Sequence, residues 1–370
     1  MSEGRSRRGY LDALRGLAVL IMIEAHLLDS WTRFPDRQAM QFAYAMVLGG
    51  FGAPLFLFLA GVAVPLSAGS KARRTGDADG ASRAVVRRGL EVFGLAFLFR
   101  IQAWVLGWSS PRSLLKVDIL NIMGPSIMAA AAIWGALRTA KGRLLAFTAA
   151  TLAVTLVTPI VRNSSVLAVL PDAIEAYLRP AGGLSNFVFF PWAGFVFAGA
   201  TVGVILDSVE TRQQERLANL GFALMGTGLT VAAYELSFLP TWYPQSHFWT
   251  TSPAFFFIRL GIMTAAIGLA YAWQLRPGGA TRWSPLQQLG RTSLFIYWIH
   301  VEMVYGLLSR PLHKRLSWEL SWVALALFCL FMLWCSIYKE RVVGRWQAQG
   351  SGLKAQARPS SEVSTVLPEP

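Results

Sequence analysis

Apolar residues in this chain gather into long blocks separated by short polar joints, without the apolar–polar alternation that marks the strands of a membrane barrel. Several blocks approach the roughly 20 residues that a helix needs to cross the hydrocarbon layer. Lipid offers no partner to a bare amide, and a helix closes its backbone hydrogen bonds within its own segment. The pattern therefore predicts an all-α integral membrane protein, a bundle of about ten transmembrane helices. They are expected near residues 13–29, 41–67, 89–108, 118–137, 144–161, 187–206, 218–238, 254–274, 291–309 and 319–338. Residues 1–346 read as one polytopic domain. The stretch 347–370, rich in Ser, Pro and small residues, reads as a disordered cytoplasmic tail. No cleavable signal peptide is expected, because the first block runs on into the polytopic pattern without a small-residue cleavage site. An echo between Leu57–Val64 and Phe195–Val202 reads as a small-residue packing motif rather than a long repeat.

Composition agrees: 54% of the 370 residues are hydrophobic and 15% charged, against about a quarter charged in soluble domains. The net charge of +14 would suggest nucleic acid in a soluble chain. Here the basic residues sit in short loops beside apolar blocks, where they set orientation, and no nucleic-acid partner is expected. With the N-terminus inside, 23 basic residues fall in inner segments and nine in outer loops, which places both termini in the cytoplasm. The expected location is a bacterial inner (plasma) membrane. The inner charge would also attract an anionic cytosolic ligand. Trp31, Trp104, Trp108, Trp242, Tyr243, Trp249 and Trp318 cluster at the predicted outer boundary, as an aromatic belt does. The two cysteines, Cys329 and Cys335, lie six residues apart on one helix, about 9 Å along the axis, and read as apolar fillers. With four scattered histidines and these cysteines, no metal is expected.

Ionisable groups inside a span are costly and point to a cavity or a partner. The first block contains Asp12, Arg15, Glu24, His26 and Asp29. Arg15 and His26, 11 residues apart, share one face at roughly 16 Å axial separation, so a single polar stripe is expected from the cytoplasmic interface past mid-membrane. Asp29, three residues beyond His26, is placed to orient its ring, and Asp12 to pair with Arg15. Asp118 and Asn121 are neighbours at the head of the fourth block, where Asp118 could equally cap the helix. Arg100 and Arg259 are cations within spans that need carboxylates or an anionic ligand. Tyr297 and His300 share a face of the ninth block. No P-loop, dinucleotide fingerprint, His-Glu-x-x-His or Gly-x-Ser-x-Gly motif occurs.

Arg15, ten residues, then His26 resembles the signature of transmembrane acyltransferases that modify sugars and envelope glycans. The longer run Leu11–Met22, with His26 and Asp29-Ser-Trp31, is most similar to the heparan-α-glucosaminide N-acetyltransferase-like branch. Pro54–Gly61, Asp118–Gly124, Phe190–Gly194 and Gly290–Tyr297 resemble that branch in the same order. The resemblance implies acetyl-CoA or another acyl-CoA as co-substrate, taken from the cytosol, and a sugar, glycan or lipid acceptor across the membrane. It assigns Arg15 to the acyl donor and His26 to catalysis. The heparan enzyme has asparagine at the position matching His26 and its catalytic histidine farther on, whereas Thr32–Gln41 here contains no histidine. Its lysosomal substrate is accordingly not carried over.

Chemically, only the thin acyl-pantetheine arm of CoA need enter the bundle. His26, tuned by Asp29, would deprotonate the acceptor or form a transient acyl-histidine, with Asn121 or Arg259 stabilising the oxyanion. Asp12, Arg100, Asp118, Tyr297 and His300 complete the expected substrate-binding set. A transporter or flippase for an anionic envelope precursor would line its pathway with the same groups, and a non-catalytic scaffold would use them to fix helix register. Gly49, Gly50 and Gly52 permit close packing and leave a homodimer open.

Overall fold

In the computed structural model, which describes residues 8–107, 110–276 and 283–356, all ten expected segments are helical. Isolated bridges at Thr32–Leu316 and Val117–Ser185 are the sole β pairings among the described residues. Eight helices there are long and apolar enough to cross a membrane, and the chain is an all-α integral membrane protein.

Helix α1 (Gly9–Trp31) carries Asp12, Arg15, Glu24 and Asp29, too many charges for a lipid-facing rod. It runs inside the bundle rather than against lipid, with Ala18, Val19, Ile23, Leu27 and Leu28 wholly enclosed. The second expected span divides into α2 (Met40–Gly49) and α3 (Gly52–Thr75). Its break falls at Gly49-Gly50-Phe51-Gly52, where three glycines lower the cost of leaving the helix. Then follow α4 (Ala78–Gly107), α5 (Ile119–Ala136), α6 (Ala140–Asn163) and the short α7 (Asp172–Leu178). Next come α8 (Phe189–Ser208), α9 (Arg212–Leu236) and α10 (Pro253–Gln274). The ninth segment is also divided, into α11 (Pro285–Arg291) and α12 (Ser293–Tyr305), separated at Thr292. At 13 residues, α12 spans about 20 Å by itself. The last helix, α13 (Trp318–Gln356), does not end at residue 347, where the sequence pattern sets the start of a disordered tail; residues 357–370 lie outside the described residues, as does Trp108 of the aromatic belt.

The echoed segments of α3 and α8 lie against each other. A methyl group on Gly61 would come within 2.0 Å of the Val196 carbonyl oxygen, and one on Gly199 within 1.9 Å of that of Phe58. Only hydrogen fits at this crossing, so the echo is a reciprocal glycine contact that lets two backbones touch. Around α1 pack α2, α3, α10, α11, α12 and α13. At its C-terminal end, Ser30 Oγ and Trp31 Nε1 both donate to the Val304 carbonyl, at 3.1 and 3.0 Å, which ties α1 to α12. This clamp sets the register of the two histidines one turn below.

Candidate active site

The first helix presents its polar groups to two cavities rather than to one continuous stripe, one at its N-terminal end and one toward its C-terminal end, named inner and outer after the orientation expected from the charge bias. The inner cavity, about 330 Å³, is lined by Arg8, Asp12, Arg15, Ser67, Arg73 and Asp207, among others. The outer cavity, about 710 Å³, has His26 of α1 on its wall together with Arg100, Asp118, Tyr297, Glu302 and Tyr305. Between Arg15 and His26 the same face carries Ala18, Val19 and Met22, which are buried in the core. Met22 packs so closely on Gly52 of α3 that a methyl group there would meet its Cγ at 2.7 Å. Helical spacing alone brought the two residues into line; the apolar residues between them separate the cavities.

In the inner cavity every arginine has a carboxylate. Arg15 Nη1 reaches Asp12 Oδ1 at 3.2 Å, as its spacing predicts. Arg73 Nη2 holds Asp207 Oδ1 at 2.7 Å across α3 and α8. Arg8 Nε donates to Glu215 Oε1 at 2.8 Å. The cluster is charge-rich, at the end of the bundle where the first helix starts.

At the outer cavity, His26 meets another histidine. Its Nδ1 lies 3.1 Å from His300 Nε2, and His300 Nδ1 lies 2.8 Å from the carbonyl of Ile296, one turn back on α12. The rings are within 10° of parallel with centroids 5.2 Å apart. That separation, with the nitrogens in contact, sets them edge to edge rather than face to face. Tyr305 packs its ring 5.6 Å from that of His26.

Asp29 does not orient this ring. Its carboxylate turns outward to Arg37 Nη2 at 2.5 Å and to Lys314 Nζ at 3.9 Å, with its side chain 43% exposed. Its own backbone carbonyl accepts from Lys314 Nζ. Long cations from two loops reach the C-terminal end of α1 and take the carboxylate in place of the imidazole. Lys314 pays for this with a left-handed backbone (φ 56°), and burial lowers its ammonium pKa, against the pull of Asp29.

The remaining expected site residues separate into those that line the outer cavity and those that do not. Arg100 and Asp118 form an ion pair on its wall. Asp118 also caps α5: its Oδ1 accepts from the Ile119 amide at 3.0 Å, while Asn121 Oδ1 accepts from the Asp118 amide at 2.9 Å. With its oxygen held in this capping box and its Nδ2 donating to Tyr177 Oη at 3.2 Å, Asn121 is not available to an oxyanion. Burial raises the Tyr177 phenol above its ordinary pKa. Arg259 lies outside the cavity too, 4.3 Å from the ring of Phe255, 5.2 Å from Phe195 and 5.7 Å from Trp192. Its guanidinium has no carboxylate among the described residues and is held by aromatic faces. Tyr297 lines the cavity, whereas His300 is fully buried behind His26.

Among the polar residues that line the cavity, four escape the sequence reading. Lys116 and Asn186 fall in loops, which hydropathy discounts, Glu302 and Tyr305 at the end of a block. Five residues past Tyr297, Glu302 lies about 140° round α12 from it, so spacing does not pair the two, and charge at a helix end usually signals an interface. Among the described residues, no group of three or more His, Cys, Asp or Glu could hold a metal.

Residues 7–231 match the family described as heparan-alpha-glucosaminide N-acetyltransferase, catalytic. Comparison with curated proteins gave no match.

Proposed function

The chain belongs to the heparan-alpha-glucosaminide N-acetyltransferase catalytic family and is a membrane acetyltransferase, and from that premise we propose that acetyl-CoA enters from the cytosol at the Arg15 cavity and that the acceptor occupies the His26 cavity. The observation that carries this reading is that one helix delivers Arg15 to the inner cavity and His26 to the outer one. Arg8, Arg15 and Arg73 offer planar, multidentate donors suited to the phosphates of CoA. Those phosphates would draw the arginines from carboxylates they already hold, an exchange of partners rather than a burial of bare charge. The acetyl-pantetheine arm then has to part the Val19–Met22 stretch to bring its carbonyl beside His26.

In this mechanism an acceptor hydroxyl or amine, from a glycan or lipid at the outer face, attacks the thioester carbonyl. Its proton passes to His26, the new C–O or C–N bond forms, and the C–S bond breaks to leave CoA thiolate, which takes that proton back from His26 and departs as the thiol. Tyr297 and Arg100, two of the donors on the cavity wall, would stabilise the developing oxyanion. Binding of radiolabelled acetyl-CoA to the protein in nanodiscs tests the assignment. Arg15→Ala should weaken binding about tenfold or more, the worth of a charge-assisted hydrogen bond, while His26→Ala binds as wild type and loses transfer. Absence of saturable binding by wild type, with longer acyl-CoAs also failing to compete, would overturn it in favour of a transporter.

A further inference from the structure

His26 and His300 form a directional chain whose direction is set at its far end. A carbonyl oxygen only accepts, so the 2.8 Å contact between His300 Nδ1 and the Ile296 carbonyl places a proton on that nitrogen. His300 is fully buried, with no carboxylate in hydrogen-bond or ion-pair contact among the described residues, so its ring is neutral and its Nε2 carries a lone pair. The atom 3.1 Å from that lone pair, His26 Nδ1, must therefore be the donor. A neutral His26 protonated on Nδ1 has its own lone pair on Nε2. That nitrogen has no protein partner among the described residues and is not one of the buried polar atoms, so it is open to the outer cavity.

We propose that His300 is a positioning residue that fixes His26 in the Nδ1–H form, so that the unprotonated Nε2 faces the acceptor. Which imidazole nitrogen is basic is decided by the bond the other one makes. In serine hydrolases a carboxylate makes that bond, and losing the tautomer costs about 10⁴ in kcat. Here Asp29 is turned away to Arg37 and Lys314, and a neutral ring backed by a main-chain carbonyl takes the place of the carboxylate. The arrangement suits the bilayer interior: it orients the base without adding a buried charge. When Nε2 takes the acceptor proton, the resulting imidazolium keeps its Nδ1–H bond to His300, so no partner has to change during the step. The inference rests on the reading of His26 as the proton acceptor, but its geometry stands apart from the identity of donor or acceptor.

The chain has four histidines, so histidine labelled with ¹⁵N gives a spectrum of eight ring nitrogens that His26→Ala and His300→Gln assign. In nanodiscs, at a pH where both rings are neutral, His26 should show a protonated Nδ1 and a bare Nε2. A wild-type spectrum with the proton on His26 Nε2 overturns the proposal before any variant is made. His300→Gln, whose amide can accept from His26 and donate to Ile296, should keep the wild-type tautomer. His300→Phe, without an acceptor, should release His26 to the Nε2–H form that unpartnered neutral histidine prefers. Diethyl pyrocarbonate, which acylates the bare ring nitrogen, should modify His26 readily in wild type and His300→Gln and slowly in His300→Phe. Equal modification in all three, with an unchanged His26 tautomer, refutes the positioning role. Transfer from acetyl-CoA to glucosamine as probe should fall about 100-fold in kcat for His300→Phe, the scale of a lost general base, with the KM for acetyl-CoA unchanged. The spectrum reports the tautomer whether or not His26 is the base, so loss of the tautomer effect and retention of transfer by His26→Ala refute different statements.

Discussion

Replacing Asp118 by asparagine isolates the electrostatic part of the outer cavity wall. Asp118 has two jobs: it pairs with Arg100, and it caps α5 through the Ile119 amide. Asparagine caps about as well as aspartate, so Asp118→Asn removes the charge and spares the cap. The pair is well enclosed, with side-chain exposures of 10% for Arg100 and 15% for Asp118. Stranding one member of a buried pair costs about 3–5 kcal/mol. Glu302 shares the cavity and offsets part of this, so the expected loss is about 2–3 kcal/mol. Asp118→Ala loses the cap as well and should cost about 1 kcal/mol more. The double variant Arg100→Met, Asp118→Asn removes the stranded charge and should recover most of the loss. Reversible unfolding in mixed micelles, run on wild type, Arg100→Met, Asp118→Asn and the double variant, gives the cycle. If Asp118→Asn stays within about 0.5 kcal/mol of wild type, the ion pair is solvated through the cavity at the level of a surface pair, and the cavity wall is not enclosed.

At the α3–α8 crossing, Gly199→Ala places a methyl group 1.9 Å from the Phe58 carbonyl oxygen and should destabilise by about 1–3 kcal/mol, the range for overpacking; an unchanged unfolding midpoint would mean the helices are not in backbone contact. Asp29→Asn should leave the His26 tautomer as in wild type and lower transfer far less than His300→Phe, because its partners are Arg37, Lys314 and the Tyr305 hydroxyl, none of them the His26 ring; a tautomer change in the labelled spectrum would restore Asp29 to the ring. Asp36 has its carboxyl pKa lowered, chiefly by the Arg33 hydrogen bond and also by the Trp318 amide at the start of α13. With the folded pKa below the unfolded one, its contribution is present at neutral pH and is lost as pH falls through the folded value. Hydrogen exchange at the Trp318 amide should accordingly stay slow until pH drops below the ordinary carboxylate range; acceleration already near pH 6 would show that Asp36 does not hold it.

Much of this protein is determined by local sequence. Blocks of apolar residues near membrane length have to become helices, because in lipid no other partner exists for their amides, and the ten expected segments are all helical. The glycine echo also carried its meaning locally, since only glycine permits two helical backbones to touch. Helical periodicity placed Arg15 and His26 on one face and Asp12 beside Arg15. Periodicity says nothing of what lies across from a face. Packing against α3 divided the expected stripe into two cavities, because Ala18, Val19 and Met22 fill the space between the polar ends. Competition among partners did the rest. Asp29, three residues from His26 in sequence, went to Arg37 and Lys314, and Asn121 to its capping box. The ring that meets His26 comes from 274 residues away. A short-range pairing can be read from spacing; the choice between a near neighbour and a distant one depends on which loops and helices the fold brings to the same point, and that is decided only by the tertiary structure.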